Sequence, residues 1–149
     1  MGRAAIGSLF GSLVLLTIFA ACGGDDDPPG KKCAATQPAD CKPLYDPPVY
    51  STVFEKILRP TCASGTGTCH TGDAAKGGLV FEDADVAYAA LTGTSGGKKR
   101  VSADDMACSL LVQRIESTDP LVRMPPGNTP LSAAERCAIE KWIANGAKR

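Results

Sequence analysis

The chain of 149 residues is poor in several residue types, and each shortage excludes a class of protein. It has one histidine, His70, so a metal centre held by two histidines of the same chain is excluded. Aromatic residues make up 5% of the sequence, too few for a surface on which nucleic-acid bases stack. Lysine plus arginine equal aspartate plus glutamate at 16 each, and this balance gives no argument for an anionic partner. We therefore predict no nucleic-acid partner.

The amino terminus has the features of an export signal. Arg3 precedes an apolar run from Ala4 to Ala21, which is too short and too weakly flanked to favour a permanent membrane span. The residues before Cys22 resemble a bacterial lipobox, in which the cysteine is lipidated and becomes the first residue of the mature protein. An ordinary signal peptide that is cleaved nearby is the alternative.

Three segments follow from this pattern. We predict a signal peptide over 1–21 and a domain over 50–149. Between them, residues 22–49 would carry the lipid on Cys22 and form a flexible tether, because residues 23–30 are rich in glycine, aspartate and proline and cannot build a core. The protein would then be exported to the bacterial cell envelope, in the periplasm or at the outer-membrane surface, and held to the membrane by its lipid.

The rest of the chain predicts an all-α fold of about four short helices with long loops. Four apolar patterns have helical spacing. The first and last follow capping boxes, at Thr52 with Glu55 and at Ser132 with Glu135. The second begins near Asp83, and the third begins at Ser102 with Asp105. Pro60 is expected to end the first helix. No alternating strand pattern or repeat competes. Such short helices have little apolar area of their own, which favours a buried cofactor or disulfide bonds.

Cys62, Cys69, His70 and Met124 carry the most specific chemistry. A c-type haem requires cysteine thiols that add to its vinyl groups and a histidine after the last cysteine that binds the iron. Met124, in a stiff segment before two prolines, supplies a soft sulfur ligand for the same iron. The spacing is C-x6-C-H rather than the usual two intervening residues, and the longer loop costs only about 1 kcal/mol in closure entropy. Met106 is a competing sulfur that we assign to the core.

With these motifs in their order, the stretch from Tyr50 to Ala147 resembles a small class I c-type cytochrome domain of the bacterial cell envelope. The resemblance also uses Gly78-Leu79, Trp142-Ile143 and Gly146-Ala147. It implies a cytochrome c-like bundle with one covalently bound haem c, attached through Cys62 and Cys69. His70 would be the proximal ligand and Met124 the distal ligand. Attachment through Cys69 alone stays open.

Export changes how the other cysteines are interpreted, because disulfides persist in oxidising compartments. If Cys62 and Cys69 hold haem, four cysteines are left, and they allow three pairings. We predict that Cys33 pairs with Cys41 around a short loop, and that Cys108 pairs with Cys137 between two helices. Without haem, Cys62 and Cys69 would form a third disulfide.

The predicted function is electron transfer by an envelope-anchored protein that is not an enzyme. It would exchange electrons with a redox partner whose identity the sequence does not specify. The alternative is a disulfide-stabilised lipoprotein that has lost haem and serves as a binding or assembly module. A zinc site is a further alternative, with Cys62, Cys69 and His70 joined by Cys108 or Cys137 as the fourth ligand.

Overall fold

The computed structural model describes residues 33–63, 69–73, 75–93 and 99–149. The predicted signal peptide, Cys22 and residues 64–68 of the C-x6-C loop lie outside these ranges. Within them the regular structure is helical, without strands, which confirms the all-α prediction. None of the helices in the described ranges has the length and apolar character to cross a bilayer.

Four α-helices form the domain: α1 (Tyr50–Val53), α2 (Ala84–Thr92), α3 (Leu110–Glu116) and α4 (Ala133–Ala144). Short 3-10 turns precede α2 and α3, at Lys76–Gly78 and Met106–Cys108. Both α1 and α3 pack on α4. The domain is thus built around the last helix.

The first helix differs from its prediction at both ends. It begins at Tyr50 after Val49, and no side chain caps it, so the capping box expected at Thr52 is wrong. It also continues past Pro60 as a π-helical segment, Phe54–Ala63. Proline removes one backbone donor, and the wider π turn accommodates that loss without ending the helix.

Side-chain caps fix the beginnings of α2 and α4, which lie where the sequence predicted them, and the capping box of α4 was itself predicted. The Asp83 carboxylate accepts hydrogen bonds from the backbone N–H groups of Asp85 and Val86 at 2.8 and 2.9 Å. Ser132 and Glu135 form the reciprocal capping box at the start of α4. The continuous third helix predicted from Ser102 is wrong, because the chain forms the 3-10 turn at 106–108 and only then enters α3.

The core centres on Tyr50 and Trp142, whose rings lie 5.3 Å apart. Tyr50 also contacts the rings of Phe54 and Tyr88, at 5.8 and 4.9 Å. Its buried hydroxyl donates a 2.6 Å hydrogen bond to the carbonyl of Ala84. One aromatic side chain therefore ties α1 to α2 and α4.

Residues 33–49, which we call the strap, lie in the same compact unit as the helices. The backbone N–H of Ala34 donates to the Ala107 carbonyl, and that of Leu44 donates to the Ala134 carbonyl, each at 2.9 Å. The part of the predicted tether that the structure describes is thus attached to the domain along its length.

Two disulfides hold the strap, and their pairing corrects the prediction. Cys33 is bonded to Cys108 and Cys41 to Cys137, with Cα atoms 4.3 and 6.1 Å apart. The predicted pairs Cys33–Cys41 and Cys108–Cys137 are wrong. Loop-closure entropy favours the short loop, but the strap lies across the starts of α3 and α4, and this packing brings together cysteines separated by 75 and 96 positions.

A buried polar cluster lies under the strap. The Gln37 backbone N–H donates to Glu140 Oε2 at 2.9 Å, and the Gln37 side-chain amide donates to Glu116 Oε1 at 2.9 Å. Arg136 pairs with the same Glu116 oxygen at 2.8 Å. Glu140 is only 3% exposed, and its Oε1 receives no hydrogen bond in the structure. Burial, and then the adjacent Glu116 carboxyl, raise the pKa of Glu140 to about 7.

Candidate cofactor site

An apolar cavity of about 260 Å³ opens among the π-helical segment, α3 and the loop that follows α3. Its wall is mostly aliphatic and aromatic, and includes Ile57, Leu58, Leu79, Phe81, Ile115 and Leu131. All six belong to the buried core of the domain. The cavity is therefore a recess in the core, of the kind that takes an apolar ligand.

Three of the four predicted site residues, Cys62, His70 and Met124, line this one cavity. Cys62 is placed at the end of the π-helical segment, His70 by the turn that follows the second cysteine, and Met124 by the loop after α3. The fold thus brings together residues that are up to 62 positions apart. Their donor set is a thiol, an imidazole and a thioether.

Cys62 and Cys69 are both free thiols in the structure. The pKa of the Cys62 thiol rises to about 12, because the side chain is buried and because Cys69 would place a second negative charge nearby. Cys62 is consequently a neutral thiol at physiological pH. The six residues between the two cysteines include 64–68, which lie outside the described residues.

The surroundings of His70 fix which ring nitrogen is available. Its Nδ1 lies 3.0 Å from the carbonyl oxygen of Leu79, and the Phe81 backbone N–H donates to the His70 carbonyl at 2.9 Å. A carbonyl oxygen can only accept, so Nδ1 donates its proton to Leu79, and Nε2 is the ring nitrogen left for a ligand. The ring also packs edge-on against Phe81 at 5.5 Å. The result is an oriented imidazole whose Nε2 is the nitrogen that could bind a metal ion.

Met124 lies in a segment that hydrogen bonds hold in place. Its backbone N–H donates to the Arg114 carbonyl at 2.9 Å, and the preceding side chain, Arg123, donates to the carbonyl of Gly127. Met106 instead packs against the hydrophobic core and is not among the residues that line the cavity. Of the two candidate sulfurs, Met124 is therefore the one beside His70.

The charged side chains around the cavity are all cationic. Lys76, Arg100 and Arg114 contribute to its wall, and no acidic residue does so among the described residues. Arg100 donates to the carbonyls of Ala90 and Gly77, which joins α2 to the turn before it. An apolar recess with a cationic border suits a ligand that has an apolar body and anionic groups.

Sequence reasoning missed these cations and the Leu79 carbonyl. Arg100 stands in a basic run that the composition alone would assign to a solvated loop, and Arg114 lies in the last turn of a short helix, where a cation is common without a further role. The position of Leu79 two residues before Phe81 offers no signal that its backbone faces a histidine nine residues earlier.

The zinc interpretation loses its fourth ligand. Cys108 and Cys137, the two candidates, are both consumed by disulfides and cannot act as thiolates. Among the described residues, one group of three potential ligands is close enough to hold a metal: Cys33, Asp105 and Cys108. Two of its members are the sulfurs of one disulfide, so it is not a thiolate site either.

Comparison with known proteins agrees with the geometry. A model of the family described as planctomycete cytochrome C matches residues 67–128. That stretch is similar to cytochrome c. It contains Cys69, His70 and Met124 but begins after Cys62, so the match supports a cytochrome c-like domain without covering the whole C-x6-C-H motif. Neither the curated proteins nor the solved structures gave a significant match.

Proposed function

We propose that this protein binds one haem c and transfers single electrons at the bacterial cell envelope. The observation that carries the proposal is the convergence of Cys62, His70 and Met124 on one apolar cavity. Their chemistry fits the group: thiols for thioether bonds, an imidazole and a thioether sulfur for the iron, and cations at the border of the cavity for the haem carboxylates. The family match over residues 67–128 supports the same conclusion.

Each residue then has a defined task. Cys69, and Cys62 where both thiols react, would attach the haem covalently, while His70 Nε2 and the Met124 sulfur would bind its iron. Bound there, the haem would supply an iron that alternates between Fe(III) and Fe(II). The Leu79 carbonyl keeps the His70 proton on Nδ1 and so preserves the ligand nitrogen.

The role is that of a carrier rather than an enzyme. With His70 and Met124 both used as ligands, no position would be left for a substrate. The sequence also has no second histidine that could act as a distal acid or base. The protein would accept an electron from one redox partner and pass it to another.

A pyridine haemochrome spectrum, recorded after extraction with acidified organic solvent, tests the proposal. The protein is expressed for export in a host with haem-attachment machinery. A retained c-type α band is expected in the wild type, and it should disappear in the double variant Cys62→Ala and Cys69→Ala. A wild-type protein that retains no haem would contradict the proposal. The single variants distinguish attachment through both cysteines from attachment through Cys69 alone.

The second candidate is a haem-free envelope lipoprotein that acts as a binding or assembly module. It is favoured by a core that does not depend on the cavity: Tyr50, Phe54, Ile139 and Trp142 are fully buried away from it, and two disulfides hold the fold. Absence of haem from wild-type protein that is nevertheless folded, with both disulfides formed, would favour this candidate.

The envelope location rests on Cys22. We propose that this cysteine is lipidated after export and anchors the domain to a membrane. Cells grown with radiolabelled palmitate should label the wild type and the control variant Cys62→Ala, but not Cys22→Ala. Labelling of Cys22→Ala would show that the lipid is attached elsewhere.

A further inference from the structure

Met124 lies in a segment without regular secondary structure, between α3 and α4. We call residues 119–127 the Met124 loop. Its internal hydrogen bonds are local: the N–H groups of Val122 and Arg123 donate to the Asp119 carbonyl, and Arg123 donates to the carbonyl of Gly127. Local bonds shape the loop but cannot fix its position against the cavity.

Arg114 makes the hydrogen bonds that join this loop to a helix. Its carbonyl accepts from the Met124 backbone N–H at 2.9 Å, and its guanidinium donates to the Val122 carbonyl at 3.3 Å. Arg114 and Met124 also line the same cavity. One residue of α3 therefore holds the main chain on both sides of Arg123, immediately before the methionine side chain.

The helix that carries Arg114 is itself well anchored. Val112 and Ile115, on either side of Arg114 in sequence, are 0% and 4% exposed. Just before α3, Cys108 is joined covalently to the strap. Arg114 therefore joins the Met124 loop to a helix that is fixed in the fold.

We propose that Arg114 is a positioning residue, whose guanidinium holds the Met124 loop so that the methionine sulfur stays directed at the cofactor cavity. The inference rests on the proposed function, since it gives the loop a ligand to hold. It also gives Arg114 a role beyond its place among the three cationic side chains that line the cavity. Without the guanidinium, the Met124 N–H bond to the Arg114 carbonyl loses the neighbouring hydrogen bond that supports it and opens more often, so the loop moves relative to the cavity.

Competition by free imidazole for the ferric iron measures how firmly the sulfur is held. Three variants are compared with the wild type in the haem-loaded protein. Arg114→Met removes both the charge and the donor, and Arg114→Lys keeps both. Arg59→Met removes an exposed arginine of the π-helical segment that pairs with Glu55. Arg114→Gln, too short to reach Val122, is made as well so that the result does not depend on one apolar variant folding.

The apparent affinity for imidazole should rise about tenfold in Arg114→Met and Arg114→Gln, as expected for loss of one charge-assisted hydrogen bond. It should stay within about twofold of the wild type in Arg114→Lys and Arg59→Met. A purely structural arginine would lower the urea midpoint and leave the imidazole affinity unchanged. Unchanged affinity in both Arg114→Met and Arg114→Gln would overturn the proposal while leaving the proposed haem function intact.

Hydrogen exchange of the Met124 amide tests the same inference in protein that holds no haem. Protection of this amide should fall about tenfold in Arg114→Met and stay at the wild-type level in Arg59→Met. Equal protection in the wild type and Arg114→Met would overturn the positioning role. The haemochrome result reports on the proposed function separately, so the two failures are distinguishable.

Discussion

Glu140 is the side chain whose protonation we expect to govern how the stability of this protein changes with pH. It is buried beneath the strap, beside Glu116 and Arg136, and accepts the Gln37 backbone N–H. Burial raises its pKa from 4.5 to about 7, with a further contribution from the Glu116 carboxyl. A proton on Glu140 removes both the cost of burying its charge and the repulsion from the Glu116 carboxylate.

The sign follows from the two pKa values. In the unfolded chain the carboxyl loses its proton near pH 4.5, whereas in the native protein it keeps the proton until about pH 7. The native state is thus the better proton binder, so the free energy of unfolding falls as pH rises through this window. At 1.36 kcal/mol per pKa unit the full effect is about 3 kcal/mol, and solvent screening reduces it to roughly 2 kcal/mol.

Glu140→Gln removes the titration and keeps the shape. The amide oxygen can still accept from Gln37, and the amide nitrogen can donate to Glu116. We therefore expect the variant to be about 2 kcal/mol more stable than the wild type at pH 8, and to differ little at pH 4.

Urea unfolding without reductant, followed at pH 4, 6 and 8, measures this difference. Glu55→Gln, a change at an exposed carboxyl in an i,i+4 pair with Arg59, is the matched control and should keep the wild-type pH slope. A Glu140→Gln protein whose stability falls between pH 4 and 8 as steeply as that of the wild type would refute the assignment.

Three further predictions concern the ligand, the core and the covalent framework. Met124→Ala should abolish the sulfur-to-iron charge-transfer band of the haem-loaded protein, and an unchanged band would exclude Met124 as the ligand. Tyr50→Phe, which leaves the Ala84 carbonyl without its donor, should lower the free energy of unfolding by about 1 kcal/mol in urea; an equal midpoint would contradict the bond. Mass spectrometry of non-reduced peptides should recover Cys41 bonded to Cys137, and replacing both by alanine should cost about 4 kcal/mol. Recovery of Cys41 in any other pair would contradict the observed connectivity.

The parts of the fold that the sequence predicted are those set by local chemistry. The start of α2 near Asp83 and the capping box of α4 at Ser132 depend on side chains and backbone groups two or three positions apart, so such patterns can be recognised directly. Pro60 misled the prediction for the opposite reason. A missing N–H predicts the end of a helix, but the buried side chains of Ile57 and Leu58 keep the segment packed in the core, and the π-helical turns continue to Ala63.

The candidate site also has residues that could be predicted from the sequence and residues that could not. His70 and Met124 could be proposed from residue type and order, because few side chains bind an iron from an apolar cavity. Arg114 could not, since its role depends on a helix and a loop meeting across a gap of ten residues. The disulfide pairs were also beyond sequence reasoning, because the path of the strap across α3 and α4 decides them and the loop lengths do not.

The two disulfides interleave along the chain: Cys33 joins Cys108, while Cys41, which lies between them, joins Cys137. A protease that cuts one peptide bond anywhere between Cys33 and Cys137 therefore releases no fragment, because at least one disulfide always bridges the cut. A cut between His70 and Met124 would leave both pieces of the candidate site covalently attached. For an exported protein, one accidental cleavage would interrupt the polypeptide without separating the parts of its site.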